Sequence, residues 1–277
     1  MTEPRTARSL LEVGTAAHYE DAASYDRAYR RRRHDVAYYR EVARTFGGPI
    51  LELGVGTGRV AIALARDGHE IVGVDRMKPM LDRARAKLAK ETRATRDRIE
   101  LLRGDLRTLR LRRRFPLILS PFHVLQHLYR RDDWERALAT VRAHLAPRGR
   151  FVFDVLFPDP RWLCRDPYRL YRLPDVTVPE TGRRVHYRES FDYDPVAQVL
   201  VIQMHFVDPA IERGRPGHHR WAPLTHRQLF PQELETLLHY NGFAIEERHG
   251  GFANEPLDDR AVQQVVVCTL RRGFRAR

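Results

Sequence analysis

Short apolar runs alternate with amphipathic stretches along most of the chain. The apolar runs read as buried strands, at residues 50–53, 71–74, 99–102, 116–120 and 150–154. Between them, apolar positions recur at helical spacing, which predicts helices over 59–66, 77–90 and 132–145. Strands that alternate with helices at this spacing are typical of βαβ units. The pattern therefore predicts an α/β fold with a doubly wound, mostly parallel sheet.

The pattern changes after residue 158. Apolar and polar positions alternate over 185–193 and 199–207, and Asp194-Pro195 joins the two runs, so we predict antiparallel strands there. The α/β pattern then resumes, with a predicted helix at 231–240 and predicted strands at 243–247 and 264–270. Before the first strand, residues 1–17 read as a frayed leader and 19–45 as helical.

These changes divide the chain into three predicted parts. The first is a leader with lid helices over 1–46. The second is a ligand-binding α/β domain over 47–157 and 229–277, because doubly wound sheets bind ligands at the carboxyl ends of their strands. The third is an antiparallel β insertion over 158–228 that covers the ligand edge and binds substrate.

Composition narrows the functional classes. The 277 residues include 43% apolar residues, enough for a packed core, and two cysteines, too few for a disulfide framework. The net charge of +13 invites a nucleic-acid interpretation, but 46 of the 49 basic residues are arginines spread along the chain. We interpret them mainly as surface composition, with nucleic acid an unlikely partner. No secretory or membrane-spanning run is visible, so we expect a cytoplasmic protein without membrane contact.

The sharpest motif is a glycine-rich turn between the first strand and the next helix. It reads Glu52-Leu-Gly54-Val-Gly56-Thr-Gly58-Arg59. Glycines at such a junction allow a ligand to approach the backbone beside a helix N-terminus. A dinucleotide fingerprint would need glycine in place of Arg59, and a phosphate-binding P-loop would need Gly-Lys-Ser/Thr. What remains is the spacing E-x-G-x-G-x-G.

With this turn, the sequence resembles class I S-adenosylmethionine-dependent methyltransferases, which have a Rossmann-like fold with a seven-stranded sheet. The resemblance implies that Glu52 serves the amino-acid end of the cofactor and that Asp75, which ends the second strand, accepts both ribose hydroxyls. It also implies that Asp105 accepts the adenine amino group and that the Leu106 N–H reaches a ring nitrogen. The cofactor is then S-adenosyl-L-methionine and the product S-adenosyl-L-homocysteine. The implied cofactor-binding residues are Tyr25, Glu52, Gly54, Gly56, Gly58, Arg59, Asp75, Arg76, Met80, Asp105, Leu106, Ser120 and Pro121.

The N-terminal segment Tyr25-Asp-Arg-Ala-Tyr29 resembles the lid helix of small-molecule methyltransferases, including glycine/sarcosine and amino-sugar N-methylating enzymes. This resemblance implies that Tyr25 or Tyr29 closes over the methionine moiety and that Tyr29 also contacts substrate. At a spacing of four residues, the two tyrosines equally fit a packing pair on one helix face.

Candidates for catalysis and substrate binding follow the fourth and fifth strands and lie in the insertion. His123 and His127 are the candidate catalytic residues, as a base or a hydrogen-bond partner, and they share a face if their segment is helical. Phe122 and His123 fit substrate contacts. Asp154 fits either an ammonium contact or a local cap. In the insertion, Tyr187, Trp221 and Arg227 suit an aromatic or anionic substrate, although an ordinary half-exposed β-face would look similar.

The segment Ser120-Pro121-Phe122-His123 invites comparison with the (N/D/S)-P-P-(Y/F/W) signature of methyltransferases that act on exocyclic amines of nucleic acids or glutamine. It departs from that signature at two of four positions. Nucleic-acid amine methylation therefore becomes less favoured. No metal site is predicted.

We therefore predict an S-adenosylmethionine-dependent enzyme that transfers methyl by in-line displacement to a nitrogen or oxygen of a small molecule. The alternatives are an RNA or protein methyltransferase, on account of the charge and the basic runs at 30–33 and 110–114, or a non-catalytic cofactor-binding partner. The sequence leaves open whether the protein is a monomer or a homodimer.

Overall fold

The computed structural model describes residues 8–178 and 181–274, and the start of the predicted leader, residues 1–7, lies outside them. The helices are α1 Arg8–Glu20, α2 Ala22–Tyr29, α3 His34–Phe46, α4 Arg59–Arg66, α5 Lys78–Leu88, α6 Arg93–Arg96, α7 Arg131–His144, α8 Pro160–Leu163 and α9 Pro231–Tyr240. The strands are β1 Ile50–Leu53, β2 Ile71–Asp75, β3 Ile99–Arg103, β4 Phe115–Ser120, β5 Leu145–Leu156, β6 Tyr171–Arg172, β7 Val176–Thr177, β8 Arg184–Asp194, β9 Val199–Val207, β10 His219–Arg227, β11 Phe243–His249 and β12 Gln263–Leu270.

The main sheet has seven strands in the order β11-β12-β5-β4-β1-β2-β3. Strands β1 to β5 pair in parallel, whereas β12 pairs antiparallel with both β5 and β11. The chain order reverses direction beside β1, so the ends of β1 and β4 adjoin the crevice in which such sheets bind ligands. The predicted α/β fold with a doubly wound, mostly parallel seven-stranded sheet is confirmed.

Alternating side chains of the main sheet contribute to two apolar clusters. In β5, Phe151, Phe153 and Val155 join one cluster with α7 and α9, whereas Val152 joins the other with α3, α4 and α5. This is the period of two that a strand covered on both faces must show. Helices on both faces explain why the strands read as continuous apolar runs in the sequence.

A second, antiparallel sheet lies in the predicted insertion. Its order is β10-β9-β8-β6, and β7 also pairs with β8. Helix α1 packs along β10 so closely that a Cβ on Gly14 would fall 2.5 Å from Cγ2 of Thr225. Residues 8–17 are therefore helical in the structure, and the expectation of a frayed leader is wrong for them. Their helix is stabilised by a distant strand, which the local sequence does not reveal.

The described chain divides into two compact units. One contains the residues up to Arg31 together with Pro158–Gln228, and the other contains Arg32–Phe157 and Leu229–Arg277. The helical stretch predicted over 19–45 is interrupted twice. Asp21 caps α2 by accepting a hydrogen bond from Ser24 N at 2.9 Å, and the basic run 30–33 separates α2 from α3. None of the helices in the described ranges is long and apolar enough to cross a membrane.

Candidate active site

The glycine-rich turn leads from β1 into α4. Gly54, Gly56 and Gly58 all have positive φ, at 74°, 56° and 76°, a region that side chains other than glycine rarely adopt. Gly54 is also confined by packing, since a Cβ there would overlap the side chain of Val124. Beside Gly56, a Cβ would meet Cε of Met80 at 3.4 Å and the Gly54 carbonyl oxygen at 3.9 Å, both at ordinary contact distances. The turn is therefore tightly packed at Gly54 and less crowded at Gly56.

Glu52 is a buried acid at the end of β1, with 2% exposure. The backbone N–H of Ala61, in the first turn of α4, hydrogen bonds to its carboxyl group, while Oε2 has no hydrogen-bond partner. Burial raises the pKa of Glu52 to about 8, an effect that Arg59 opposes and Asp75 reinforces. A buried polar atom without a partner is costly, so this oxygen is a site where a ligand would be stabilised. The Ser120 hydroxyl oxygen, at the end of β4, is a second such atom.

Asp75 faces the same turn from the end of β2. Its Oδ2 accepts a hydrogen bond from Gly56 N at 2.8 Å and its Oδ1 accepts one from Met77 N, also at 2.8 Å. Burial raises its pKa, against hydrogen bonds from those two amides and the charge of Arg76. Each carboxylate oxygen can accept a second bond, so Asp75 can take two adjacent hydroxyls without breaking its backbone contacts.

Asp105 follows β3 and is already paired. Arg107 forks onto it, with Nη2 2.6 Å from Oδ2 and Nε 3.0 Å from Oδ1, and Arg107 also reaches Asp133 at 2.8 Å. Burial alone would raise the pKa of Asp105, but the hydrogen bonds from Arg107 hold it below its ordinary value. Leu106 is partly buried against the core. The sequence analysis did not anticipate that Arg107 would pair with Asp105. The adenine contact at Asp105 remains a prediction.

A buried aspartate organises the turn after β4. Asp154 Oδ1 accepts hydrogen bonds from the Tyr39 hydroxyl at 2.6 Å and from Phe122 N at 2.8 Å. Its Oδ2 lies 3.0 Å from Nδ1 of His123, although the two groups are not aligned as a good hydrogen bond. Burial would raise the pKa of Asp154, but the contacts with His123, Tyr39 and Phe122 bring it below the ordinary value. Because Asp154 is 0% exposed, its position favours holding other residues over direct contact with a substrate ammonium.

Residues 50–149 match the family model described as a methyltransferase domain. This segment is a methyltransferase domain. It spans β1 to the middle of β5 and so contains the glycine turn, Glu52, Asp75 and the His123 turn. The prediction of a methyltransferase is confirmed.

Relatives and solved structures extend the likeness beyond this segment. The chain is 25% identical over 229 residues to the cypemycin N-terminal methyltransferase of a Streptomyces species, covering 80% of this chain and 82% of that one. It is similar to the structure of the CcbJ methyltransferase from Streptomyces caelestis, with a TM-score of 0.76 and 27% identity. The match covers 93% of this chain and 99% of that one. It also shares the fold of SAM-bound CalS10, an amino pentose methyltransferase from Micromonospora echinaspora, with a TM-score of 0.62 and 20% identity. That match covers 96% of this chain and 99% of CalS10. The Rossmann-like methyltransferase fold is thereby confirmed.

Two residues that the sequence did not single out support the site in the methyltransferase domain. Asp35, in the first turn of α3 and 0% exposed, receives the guanidinium of Arg59 at 2.7 and 2.6 Å. Arg32 lies 3.3 Å from the same carboxylate and 4.6 Å from the ring centroid of Phe122, which Arg59 also approaches at 5.2 Å. This ion pair ties α3 to the residue that follows Gly58. No signal near Asp35 distinguishes it from a solvated helix residue.

The other candidate residues are arranged differently from the sequence expectation. His123 precedes the 3-10 turn Val124–His127 with a positive φ of 63°, so His123 and His127 do not share a helical face. Nδ1 of His127 instead lies 3.4 Å from the Tyr129 hydroxyl. Arg76 is exposed, and its charge opposes the rise in the pKa of Asp75 and contributes to the lowered pKa of Asp105. Pro121 is buried beside Ser120.

The tyrosines of the predicted lid belong to the other unit and pack together within it. The Tyr25 and Tyr29 rings lie 4.8 Å apart, and His18 approaches both, with Nε2 3.1 Å from the Tyr29 hydroxyl. Burial lowers the pKa of His18 to about 4, against the charge of Asp21. Within its unit the pair therefore shows the packing arrangement, and the lid role remains a prediction.

The insertion residues line its antiparallel sheet. Tyr187 stacks on Phe206 at 5.1 Å and donates a hydrogen bond to Glu189. Trp221 is 54% exposed, and Arg227 contacts Gln198. The strand register places Tyr187 and Phe206 on one face of this sheet, whereas Trp221, which pairs with His205, projects from the opposite face together with Arg227. Substrate contacts of Tyr187, Trp221 and Arg227 remain predictions.

Proposed function

We propose that this protein transfers a methyl group from S-adenosylmethionine to an amine nitrogen of a small organic molecule, releasing S-adenosylhomocysteine. The observation that carries the proposal is Glu52, a buried acid with one oxygen lacking a partner, beside a glycine turn that Asp75 faces from the next strand. This set supplies an acceptor for a cationic amino group and acceptors for a pair of hydroxyls.

The residues present fit the proposed cofactor. Glu52 would bind the ammonium group of the cofactor and Asp75 its ribose hydroxyls. Ser120 and the backbone of the glycine turn would lie beside the bound cofactor, with Met80 packed against Gly56. When bound, the cofactor supplies a methyl group on a positively charged sulfur, open to in-line attack by a lone pair. The protein's tasks are then to align the acceptor and to keep its nitrogen uncharged.

Two observations support nitrogen as the acceptor atom. Two similar proteins are an N-terminal methyltransferase and an amino pentose methyltransferase. In this chain, His123 lies in the turn that follows β4, and its imidazole is the type of group that accepts the proton an ammonium must lose. We therefore propose His123 as the catalytic base and an amino sugar or a terminal amine of a peptide as the acceptor class.

The RNA alternative gains no support from the basic runs. Arg32 contacts Asp35, Arg113 lies 3.5 Å from Glu70, and Arg114 donates to the carbonyl of Leu145 at 3.0 Å. Several of these charges are therefore used within the chain and do not form a free stripe for phosphates.

Titration calorimetry with S-adenosylhomocysteine tests cofactor binding. We expect Asp75→Ala to weaken binding by about 30-fold or more, because two hydrogen bonds to a charged acceptor are lost. Asp82→Asn is the matched control, since Asp82 is an exposed acid of α5 that pairs with Lys78, and it should bind like the wild type. Equal affinities for the wild type and Asp75→Ala would contradict the cofactor assignment.

Methyl-labelled cofactor tests the acceptor. A panel of amino sugars, peptides with free amino termini and the corresponding alcohols is incubated with the enzyme, and incorporation is measured by mass spectrometry. We expect label on amines and none on the matched alcohols. Label on hydroxyl groups alone would refute nitrogen as the acceptor.

A further inference from the structure

We infer that Asp154, itself held by Tyr39, is a positioning residue that keeps the imidazole of His123 with its proton on Nδ1, so that Nε2 accepts the proton of the substrate ammonium. The inference rests on the proposed function for its chemical purpose. The arrangement itself, a buried aspartate among three groups from α3 and the β4 turn, is a property of the chain.

The two oxygens of Asp154 have different partners. Oδ1 accepts hydrogen bonds from the Tyr39 hydroxyl at 2.6 Å and the Phe122 amide at 2.8 Å, and both donors are at good distances. Oδ2 is therefore the oxygen left for His123, whose Nδ1 lies 3.0 Å away. Tyr39 is itself 0% exposed and comes from α3, so the carboxylate is held from a separate element as well as from the turn.

An ionised carboxylate only accepts hydrogen bonds, which decides the tautomer of a histidine that faces it. With Oδ2 beside Nδ1, the proton belongs on Nδ1 and the lone pair on Nε2. Nδ1 and Oδ2 lie 3.0 Å apart but are not well aligned, and a small rotation of the imidazole would point the Nδ1–H bond at Oδ2.

The backbone of this turn shows that Asp154 holds a strained segment. Phe122 and His123 both have positive φ, at 64° and 63°, and neither is glycine. Such conformations persist where surrounding contacts determine them, and they cluster at functional sites. The Phe122 amide bond to Asp154 and the bond from Gln126 N to the His123 carbonyl, at 2.9 Å, fix the two ends of the strained pair.

The proton transfer balances without further reactants. The N–H bond of the substrate ammonium breaks and an Nε2–H bond forms, which leaves a neutral amine with its lone pair and an imidazolium. The positive charge then lies beside ionised Asp154, which stabilises it. The imidazolium later returns the proton to solvent.

Asp154→Asn gives a sharp test because the structure dictates how the amide must sit. The Tyr39 hydroxyl and the Phe122 amide both donate, so the amide oxygen must take the place of Oδ1. The NH₂ group then faces Nδ1 of His123 and donates to it, which forces the proton onto Nε2. The variant should therefore have the inverted tautomer with little change of shape.

Nitrogen-15 NMR of histidine-labelled protein measures the tautomer directly. The chain has 13 histidines, so the His123 signals are assigned by their loss in His123→Gln. We expect an Nδ1–H imidazole in the wild type and an Nε2–H imidazole in Asp154→Asn. Tyr39→Phe is the control, because it removes one bond to Oδ1 and should keep the wild-type tautomer.

Activity and cofactor binding separate the possible outcomes. We expect Asp154→Asn to lose about 10² to 10⁴ in kcat, the range for a general base, with affinity for S-adenosylhomocysteine within about threefold of the wild type. An Nε2–H tautomer in the wild type would overturn the inference without any variant. So would an unchanged tautomer in Asp154→Asn. If no amine is methylated, the proposed function fails, while the tautomer measurement still decides the positioning role.

Discussion

Replacing Glu52 by glutamine tests whether a buried acid of the cofactor site destabilises the ligand-free protein. In an unfolded chain, glutamate loses its proton near its ordinary pKa of 4.5, whereas burial raises the pKa of Glu52 to about 8 in the folded protein. Below pH 4.5 both states hold the proton, and stability carries no penalty from this group. Between pH 4.5 and about pH 8 only the folded protein keeps this proton bound, so the free energy of unfolding falls as the pH rises and levels off above about pH 8.

The size of the effect follows from the same two values. At 1.36 kcal/mol per pKa unit, the full penalty is about 5 kcal/mol, and the part that develops between pH 5 and pH 8 is about 3.5 kcal/mol. Because glutamine does not titrate, Glu52→Gln should lack this penalty. We expect the variant to gain stability relative to the wild type as the pH rises, and to bind S-adenosylhomocysteine at least about tenfold more weakly.

Urea unfolding of the cofactor-free proteins at pH 5 and pH 8, followed by circular dichroism, measures this gain. Titrating groups that do not interact with Glu52 contribute equally to both proteins, so they cancel in the difference. Asp82→Asn, on an exposed side chain of α5, serves as a control and should show less than about 1 kcal/mol of pH-dependent change. A difference between the wild type and Glu52→Gln that is the same at both pH values would refute the buried, protonated state of Glu52.

Two further predictions concern the frame of the site. Asp35→Ala should lower the free energy of unfolding, measured by urea titration, by about 3–5 kcal/mol, because the partly buried Arg59 loses the carboxylate it pairs with. The control is Asp67→Ala, which removes an exposed pair with Arg40 and should cost less than about 1 kcal/mol. Gly54→Ala should cost about 2–5 kcal/mol by the same measurement, since it adds overlap with a neighbouring side chain to a positive φ. Gly273→Ala, with a similar φ of 72° in open space, should cost only about 1 kcal/mol, and equal costs would argue against the packing explanation.

The main sheet could be predicted because its information is local. The run 50–53, the glycines after it and Asp75 each lie at a strand end that the apolar pattern marks, and β1, α4 and α9 have the predicted bounds. Parallel strands bring their carboxyl ends to one edge, so residues at successive strand ends converge without any knowledge of packing. The same logic located the turn that follows β4.

The remaining parts depend on contacts between distant residues. Tyr39 and Asp154 are 115 positions apart, and Asp35 and Arg59 are 24 apart, so neither pair has a local signature. The Arg107 fork on Asp105 spans only two positions, yet an arginine in an arginine-rich chain gave no reason to select it. Helix α1 was missed because its stabilising partner is β10, about 200 residues later in the chain.

Arg59 acts on two buried acids in different ways. Asp35 accepts hydrogen bonds from both Nη atoms of its guanidinium, whereas Glu52 is influenced by its charge and keeps Oε2 without a partner. A site selected for stability alone would pair that oxygen or replace the acid with an apolar residue, since an unpaired buried acid is costly. The arrangement becomes favourable once a cationic group lies beside Glu52, because the acid can then ionise in a low-dielectric pocket. The same feature that weakens the ligand-free protein thus becomes a source of cofactor affinity, and this is why we expect Glu52→Gln to raise stability and lower affinity together.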